Sequence, residues 1–242
     1  MKRTHQKIAD LVSKNPETAS ALHFLGIHFY HYTEQTLAEV CRERGLDPNL
    51  VIRKFNEVAQ FPVPNLQNLI EYTPDVIVEF LRHNHFVFMK KRLPYVSDLV
   101  KNISPQHSET LHELQLIFPL FLEEFIQHIY EEEDLQFSYI LKLYNFDTKG
   151  IADEFLYEQL EKHSVGRFQE EHVHEVGLGG IRELTHNFAI SPQADLHEKV
   201  LLTTLKNFDI ELTQHARLED EVLFPKAKVL ERRVLDMVLK IA

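Results

Sequence analysis

The stretch Phe121-Leu-Glu-Glu124-Phe-Ile-Gln127-His128-Ile-Tyr-Glu-Glu132, followed by Phe137, returns 87 residues later as Phe208-Asp-Ile-Glu211-Leu-Thr-Gln214-His215-Ala-Arg-Leu-Glu219, followed by Phe224. Six positions are identical at matched offsets, and the apolar residues stay in register. Both copies read as helix. Residues four apart share a helix face, so the His128 imidazole and the Glu132 carboxylate converge on one point, as do His215 and Glu219. A histidine with a carboxylate four positions on arises by chance in a chain with 15 histidines and 37 acidic residues. Its recurrence at matching places in matching helices is the informative part.

A second echo pairs His83-Asn-His85 with His172-Val-His174, 89 residues apart. Helical phase separates the members of each pair. His85 shares a stripe with Val78, Leu81, Met89 and Val96, whereas His83 points away from Val96. His174 is in phase with Leu178, Ile181, Leu184 and Phe188, while His172 lies nearly opposite Ile181. His85 and His174 are therefore the expected inward residues, with His83 and His172 as alternatives. Four neutral imidazoles and two carboxylates in a helical core suit a pair of first-row metal ions. Each carboxylate can bridge both ions, and without metal two buried glutamates would be costly.

Outward from these segments, the pattern predicts four long helices. Thr73-Pro74 starts the first, to about Asn102. Ser104-Pro105 starts the second, to about Tyr144 before a turn ending at Gly150. The third covers about Ala152 to Asn187, and Ser191-Pro192 introduces the fourth, to about Phe224. Pro119 and the Gly177, Gly179 and Gly180 group are candidate kinks. A short C-terminal helix, about Lys228 to Ile241, is expected on the outside. The expected fold is all-α, an up-down-up-down four-helix bundle over 73–242. A linker over 61–72, containing Phe61-Pro-Val-Pro-Asn65, separates it from a small helical domain over 1–60. In that domain Thr36 with Glu39 reads as a capping box, Gly45 as a helix stop and Asp47-Pro48 as the next start.

Composition narrows the function. An apolar fraction of 44% supports a real core, and only 7 glycines and 10 prolines argue against a fold of many short strands. A net charge of −11 is a poor match for nucleic acid or an anionic membrane. The lone Cys41 excludes an internal disulfide framework. With no apolar leader or 18-residue apolar run, the expected location is cytoplasmic. No glycine-rich phosphate loop supports a flavin or nucleotide.

At these residues the chain resembles the hemerythrin-like di-iron proteins, and among them the RIC (repair of iron centres, ScdA-type) branch. The similarity runs from about Ala19 to Phe224. Its most specific part is His215-Ala-Arg-Leu-Glu219-Asp-Glu-Val-Leu-Phe-Pro225, with Arg92-Leu-Pro94 a weaker support. The N-terminal segment is similar to the small ScdA-type domain in Gly26-Ile-His-Phe29 and in Thr36-Leu-Ala-Glu-Val-Cys41 through Gly45-Leu-Asp47. That family usually places two adjacent cysteines after its Gly-Ile-Asp-Phe stretch. Tyr30 and His31 stand there in this chain, so a paired-thiol role does not carry over.

The resemblance implies two non-haem iron ions with an oxo or hydroxo bridge, held by His85, His128, His174 and His215 with bridging Glu132 and Glu219. One spacing departs: His85 to Leu93-Pro94 is one residue longer than the family usually shows, which keeps His83 and His172 open. Having one histidine fewer than the oxygen-carrying hemerythrins, the site is expected to hold at least one iron loosely. The resemblance further implies repair of iron–sulfur clusters after nitrosative or oxidative stress, through supply of iron or handling of nitric oxide or oxygen. Its partners would be a small diatomic ligand and iron–sulfur proteins, and a homodimer is one assembly open to it. The alternative is an oxygen- or nitric-oxide-binding or sensing protein without repair activity.

Two other rivals are weaker. A ferritin-like oxidase would use Glu-x-x-His triplets, which occur at Glu109/His112, Glu171/His174 and Glu183/His186 without a repeated context. A metal-free bundle would leave the repeat without a purpose. His5, His23, His28, His31, His107, His112, His163, His186 and His197 are expected to be surface or hydrogen-bonded histidines rather than ligands. Glu131, Glu133 and Asp134 are expected on a solvated face or, equally, as a negative field that attracts cations near His128, with Tyr130 and Tyr139 near the second pair as supporting donors or packing.

Overall fold

The computed structural model describes residues 3–58, 69–104, 108–150, 156–172 and 178–241. Within them every regular element is helical, apart from one antiparallel bridge between Lys7 and Thr36. The expected 61–72 linker falls largely outside the described residues.

The chain divides into two compact units. The first comprises Met1–Val63, Pro94–Phe118 and Gly180–Phe208; the second comprises Pro64–Leu93, Pro119–Gly179 and Asp209–Ala242.

In the first unit the short N-terminal helices start and stop where local chemistry dictates. Thr36 accepts from the Glu39 N–H at 3.3 Å while Glu39 Oε2 accepts the Thr36 N–H at 2.7 Å, so the capping box opens the helix Leu37–Arg44. Gly45, at φ 68°, closes it. Asp47 accepts the Asn49 N–H at 2.9 Å and starts Pro48–Val58. The helix Glu17–Phe24 ends at Gly26, φ 73°, where Gly26 N–H donates to His23 O at 2.8 Å and Ile27 N–H donates to Leu22 O at 2.9 Å. This Schellman turn reverses the chain, and a side chain at Gly26 would be strained in that left-handed conformation. Leu22, Ile27, Phe29 and Leu37 are buried.

The second unit packs around Ile77, Leu81, Phe137, Ile140, Phe224 and Leu230. Three helical segments widen into π-helical turns: Pro74–Val87 leads into Phe88–Arg92, Glu109–Glu131 into Glu132–Phe137, and Leu196–Leu218 into Glu219–Leu223. α-Helix resumes after each, as Leu93–Asn102, Ser138–Lys149 and Phe224–Ile241. Two of these resumptions carry proline as their second residue, Pro94 and Pro225. Proline has no N–H and crowds the carbonyl four residues back; a break in the regular bonding ladder just before it relieves both problems.

Four helix expectations need correction. The second helix starts at Glu109, with Ser108 Oγ accepting the Leu111 N–H at 3.3 Å, and Pro105 lies outside the described residues. It runs on to Lys149 because Phe146 is buried and Thr148 back-bonds to Tyr144 O; left-handed Gly150 stops it. The third is not one rod over its described residues: Leu156–Lys162 stops and Ser164 starts Val165–His172 by accepting the Arg167 N–H at 3.2 Å. Its last piece, Gly179–Leu184, ends where His186, Asn187 and Phe188 turn left-handed at φ 49°, 60° and 58°. The fourth does not end near Phe224. It continues to Ile241, and Ala227, Leu230 and Val234 lie in the buried core rather than on the outside.

Candidate metal centre

His85 comes from the last turn of Pro74–Val87, His128 from the last turn of Glu109–Glu131, and His215 from the last turn of Leu196–Leu218. Glu132 and Glu219 are each the first residue of a π turn. All three π turns therefore adjoin the repeated His-x₃-Glu pairs or His85. Such turns cost helix stability and recur at functional sites. The Phe88–Arg92 turn also lies inside the interval between His85 and Leu93-Pro94, where an i→i+5 turn accommodates an additional residue.

The side chains meet closely. His85 Nε2 lies 3.0 Å from His215 Nε2 and 3.3 Å from Glu132 Oε2. His215 Nε2 lies 3.2 Å from Glu219 Oε1. One donor atom from each of these four residues lies within 4.8 Å of the others. Glu132 is 1% exposed and Glu219 is 0% exposed. His128 stands at the margin, with Nε2 3.6 Å from Glu132 Oε2.

Donors bound to one first-row ion at about 2.0–2.1 Å in tetrahedral geometry stand roughly 3.3 Å apart. The separations of 3.0, 3.2 and 3.3 Å match that spacing. Two carboxylates so deeply buried in one cluster also require positive charge nearby, because an isolated pair would suffer both desolvation and mutual repulsion. The donor set fits a cation.

Glu133 orients the first histidine. Its carboxylate can only accept, so His85 Nδ1 donates to Glu133 Oε1 at 2.9 Å, leaving Nε2 toward the cluster. This is the carboxylate-to-histidine support typical of metal-binding imidazoles. Burial is the largest influence on His85 and lowers its pKa; the Glu132, Glu133 and Glu219 carboxylates together outweigh it, and the net direction is upward.

Aromatic rings enclose the cluster. Phe137 stacks on His85 with centroids 5.5 Å apart and planes within 10°, and Phe88 meets His215 edge-on at 5.5 Å. Phe125 lies 6.4 Å from the His128 ring. Arg92 forks onto Glu211 at 2.7 and 2.6 Å, tying the first π turn to the helix that carries His215.

Of the expected residues, His85, Glu132, His215 and Glu219 come together, with His128 beside Glu132. His83 is exposed, which leaves His85 as the inward member of its pair. His174 lies outside the described residues, and His172 is described only as the last residue of its helix. Glu133 does not sit on a purely solvated face, as expected, but reaches His85. In an α-helix neighbouring residues diverge, so nothing in the sequence outside the π turn signals this. Tyr130 is 56% exposed, and Tyr139 donates to Glu231 Oε1 at 2.8 Å rather than supporting the cluster.

The fold and cluster define a class: an all-helical protein whose core holds a buried histidine–carboxylate group able to take a metal ion. Curated sequences make the class specific. The chain is similar to the iron-sulfur cluster repair protein ScdA of Staphylococcus haemolyticus strain JCSC1435, at 22% identity over 90% of this chain and 96% of that protein. It is similar to ScdA of Staphylococcus epidermidis strains RP62A and ATCC 12228 at 23% identity over the same shares. The chain is thus a distant relative of the ScdA-type repair proteins. No family model matches it. Among the described residues, no helix is long and apolar enough to cross a membrane.

Proposed function

We propose that this chain is a hemerythrin-like four-helix-bundle protein holding two non-haem irons and serving the repair of iron–sulfur clusters after nitrosative or oxidative stress. One observation carries the proposal: His85, His215 and the carboxylates Glu132 and Glu219 of the two His-x₃-Glu repeats converge in a buried core at separations suited to a first-row cation, with His128 beside Glu132. The ScdA relatives, which span nearly the whole chain, make iron the fitting metal and repair the fitting activity.

His85, His128, His174, His215, Glu132 and Glu219 would hold the irons. Iron supplies a redox-active cation with coordination positions left over for oxygen or nitric oxide. The protein supplies the rest. Glu133 holds the His85 ring with Nε2 inward. Phe137 and Phe88 flank the two imidazoles and limit water around them. Glu132 and Glu219, fixed at π turns, present carboxylate oxygens that favour a positively charged occupant. A ligand set poor in histidine leaves one iron weakly held, which suits delivery.

The test combines metal analysis with transfer. Protein purified from iron-replete cells is expected to carry two irons and the absorption of a bridged ferric pair. Glu132→Leu and Glu219→Leu are expected to lose most of that iron while retaining helicity by circular dichroism. After reduction, the parent is expected to restore a nitric-oxide-damaged iron–sulfur enzyme. Folded variants that keep two irons each would overturn the site. Iron retained through prolonged chelation of the reduced protein, without repair, would favour an oxygen- or nitric-oxide-binding role instead.

A further inference from the structure

We propose that His23, His28 and Asp98, with the Tyr30 hydroxyl, form a second metal site, for a divalent first-row cation such as Zn²⁺ or Fe²⁺. It lies wholly in the first compact unit and shares no residue with the cluster around His85. It does not depend on the function proposed above.

The site is assembled by the turn at Gly26. His23 lies near the end of Glu17–Phe24, and the left-handed Gly26 turn folds the chain back so that His28 faces it, with ring centroids 5.4 Å apart. Asp98 is brought in from the helix Leu93–Asn102. His28 Nδ1 lies 3.1 Å and His23 Nδ1 3.4 Å from the same carboxylate oxygen, Asp98 Oδ2. Tyr30 Oη lies 2.9 Å from that oxygen and 3.2 Å from His28 Nδ1. The three primary donor atoms all lie within 4.8 Å of one another.

These separations again match the roughly 3.3 Å spacing of donors around one tetrahedral ion. The chemistry does too: two imidazole nitrogens and one carboxylate oxygen, with a fourth corner available to Tyr30 oxygen or water.

Hydrogen bonding alone explains the group less well. Asp98 Oδ2 accepts from Tyr30 and sits within bonding distance of His28, yet His23 Nδ1, at 3.4 Å from the same oxygen, has only a long and poorly directed contact with it. A metal ion at the common centre uses that nitrogen.

Outer contacts hold the donors in place. Asn102 Nδ2 donates to the other Asp98 oxygen at 3.2 Å. Tyr30 stacks on His197 with centroids 4.5 Å apart and planes within 5°, and His197 Nε2 is anchored 3.0 Å from Leu99 O. Unlike the dry cluster of the second unit, these donors are partly exposed, so an ion here exchanges with solvent more readily.

The full chain, stripped of metal, is titrated with Zn²⁺ against a chromophoric chelator. His28→Gln/Asp98→Asn is expected to bind one equivalent fewer than the parent, whereas Glu132→Leu/Glu219→Leu keeps that equivalent. In the unmutated chain, Zn²⁺ is expected to shift the imidazole nitrogen resonances of both His23 and His28, a readout that does not depend on any variant folding. Equal zinc stoichiometry for parent and His28→Gln/Asp98→Asn, or unshifted His23 and His28 resonances at saturating zinc, would overturn the proposal.

Discussion

His85 and His215, 130 residues apart in the chain, face each other across 3.0 Å through their Nε2 atoms. Two imidazole nitrogens that close can be bridged by one cation. Glu133 behind His85 and Glu219 beside His215 place carboxylate oxygens on either side of the pair, which favours a positively charged occupant between them.

Glu133→Gln tests the orientation of His85. The substitution keeps the size of the side chain but lets its amide present a donor to Nδ1. Metal affinity is expected to fall about 10- to 100-fold with little change in far-UV circular dichroism. Competition with a calibrated chelator measures the loss, and unchanged affinity would show that Glu133 is only a neighbour.

The Arg92–Glu211 fork is half-buried and bidentate, the geometry in which such a pair contributes most. Arg92→Leu is expected to cost about 2 kcal/mol in urea unfolding, as for hydrogen bonds to charged groups. Arg92→Lys recovers only part of this, because an ammonium cannot fork.

The unbroken run of helix to Ile241 makes a contrast within one turn. Leu230 is 2% exposed and Val229 is 58% exposed. Leu230→Ala is expected to destabilise by roughly 2–5 kcal/mol, and Val229→Ala to stay within about 0.5 kcal/mol. Similar costs at both positions would mean that the last helix is not docked along this face.

His197 sets a pH dependence in the first unit. Burial is the largest influence and holds its pKa below the ordinary value, against the Leu99 carbonyl and nearby carboxylates. The unfolded chain therefore binds more protons than the folded chain in the window below about 6.5. Stability from neutral His197 is complete above that pH and is lost as pH falls toward the depressed folded value. Thermal melts between pH 7.5 and 5 are expected to show a decline that His197→Gln makes shallower.

What was legible in the chain was local. Thr36 with Glu39, Gly45 and Asp47-Pro48 mark helix ends through bonds made within a few residues, and they operate as read; Pro74 opens its helix from the first turn, whereas the Thr73 side chain makes no capping bond. The phase of His85 against His83 was legible for the same reason, since a stripe of apolar neighbours defines the inward face before any partner helix is known. The break at 163–164 and the continuation past Pro225 were not, because each depends on what the helix packs against. Glu133 was invisible because a π turn, not a residue type, turns it toward His85.

By itself the sequence determined the helical character, the two His-x₃-Glu pairs and the kinship with ScdA-type proteins, since periodicity, spacing and similarity are properties of order along a chain. Only the tertiary structure decided that His85 meets His215, that Glu132 and Glu219 lie fully buried, and that His23 and His28 share the oxygen of an aspartate some seventy residues away. Distances between segments come from the packing of side chains in three dimensions, and packing is a sum over many weak contacts that no short motif encodes.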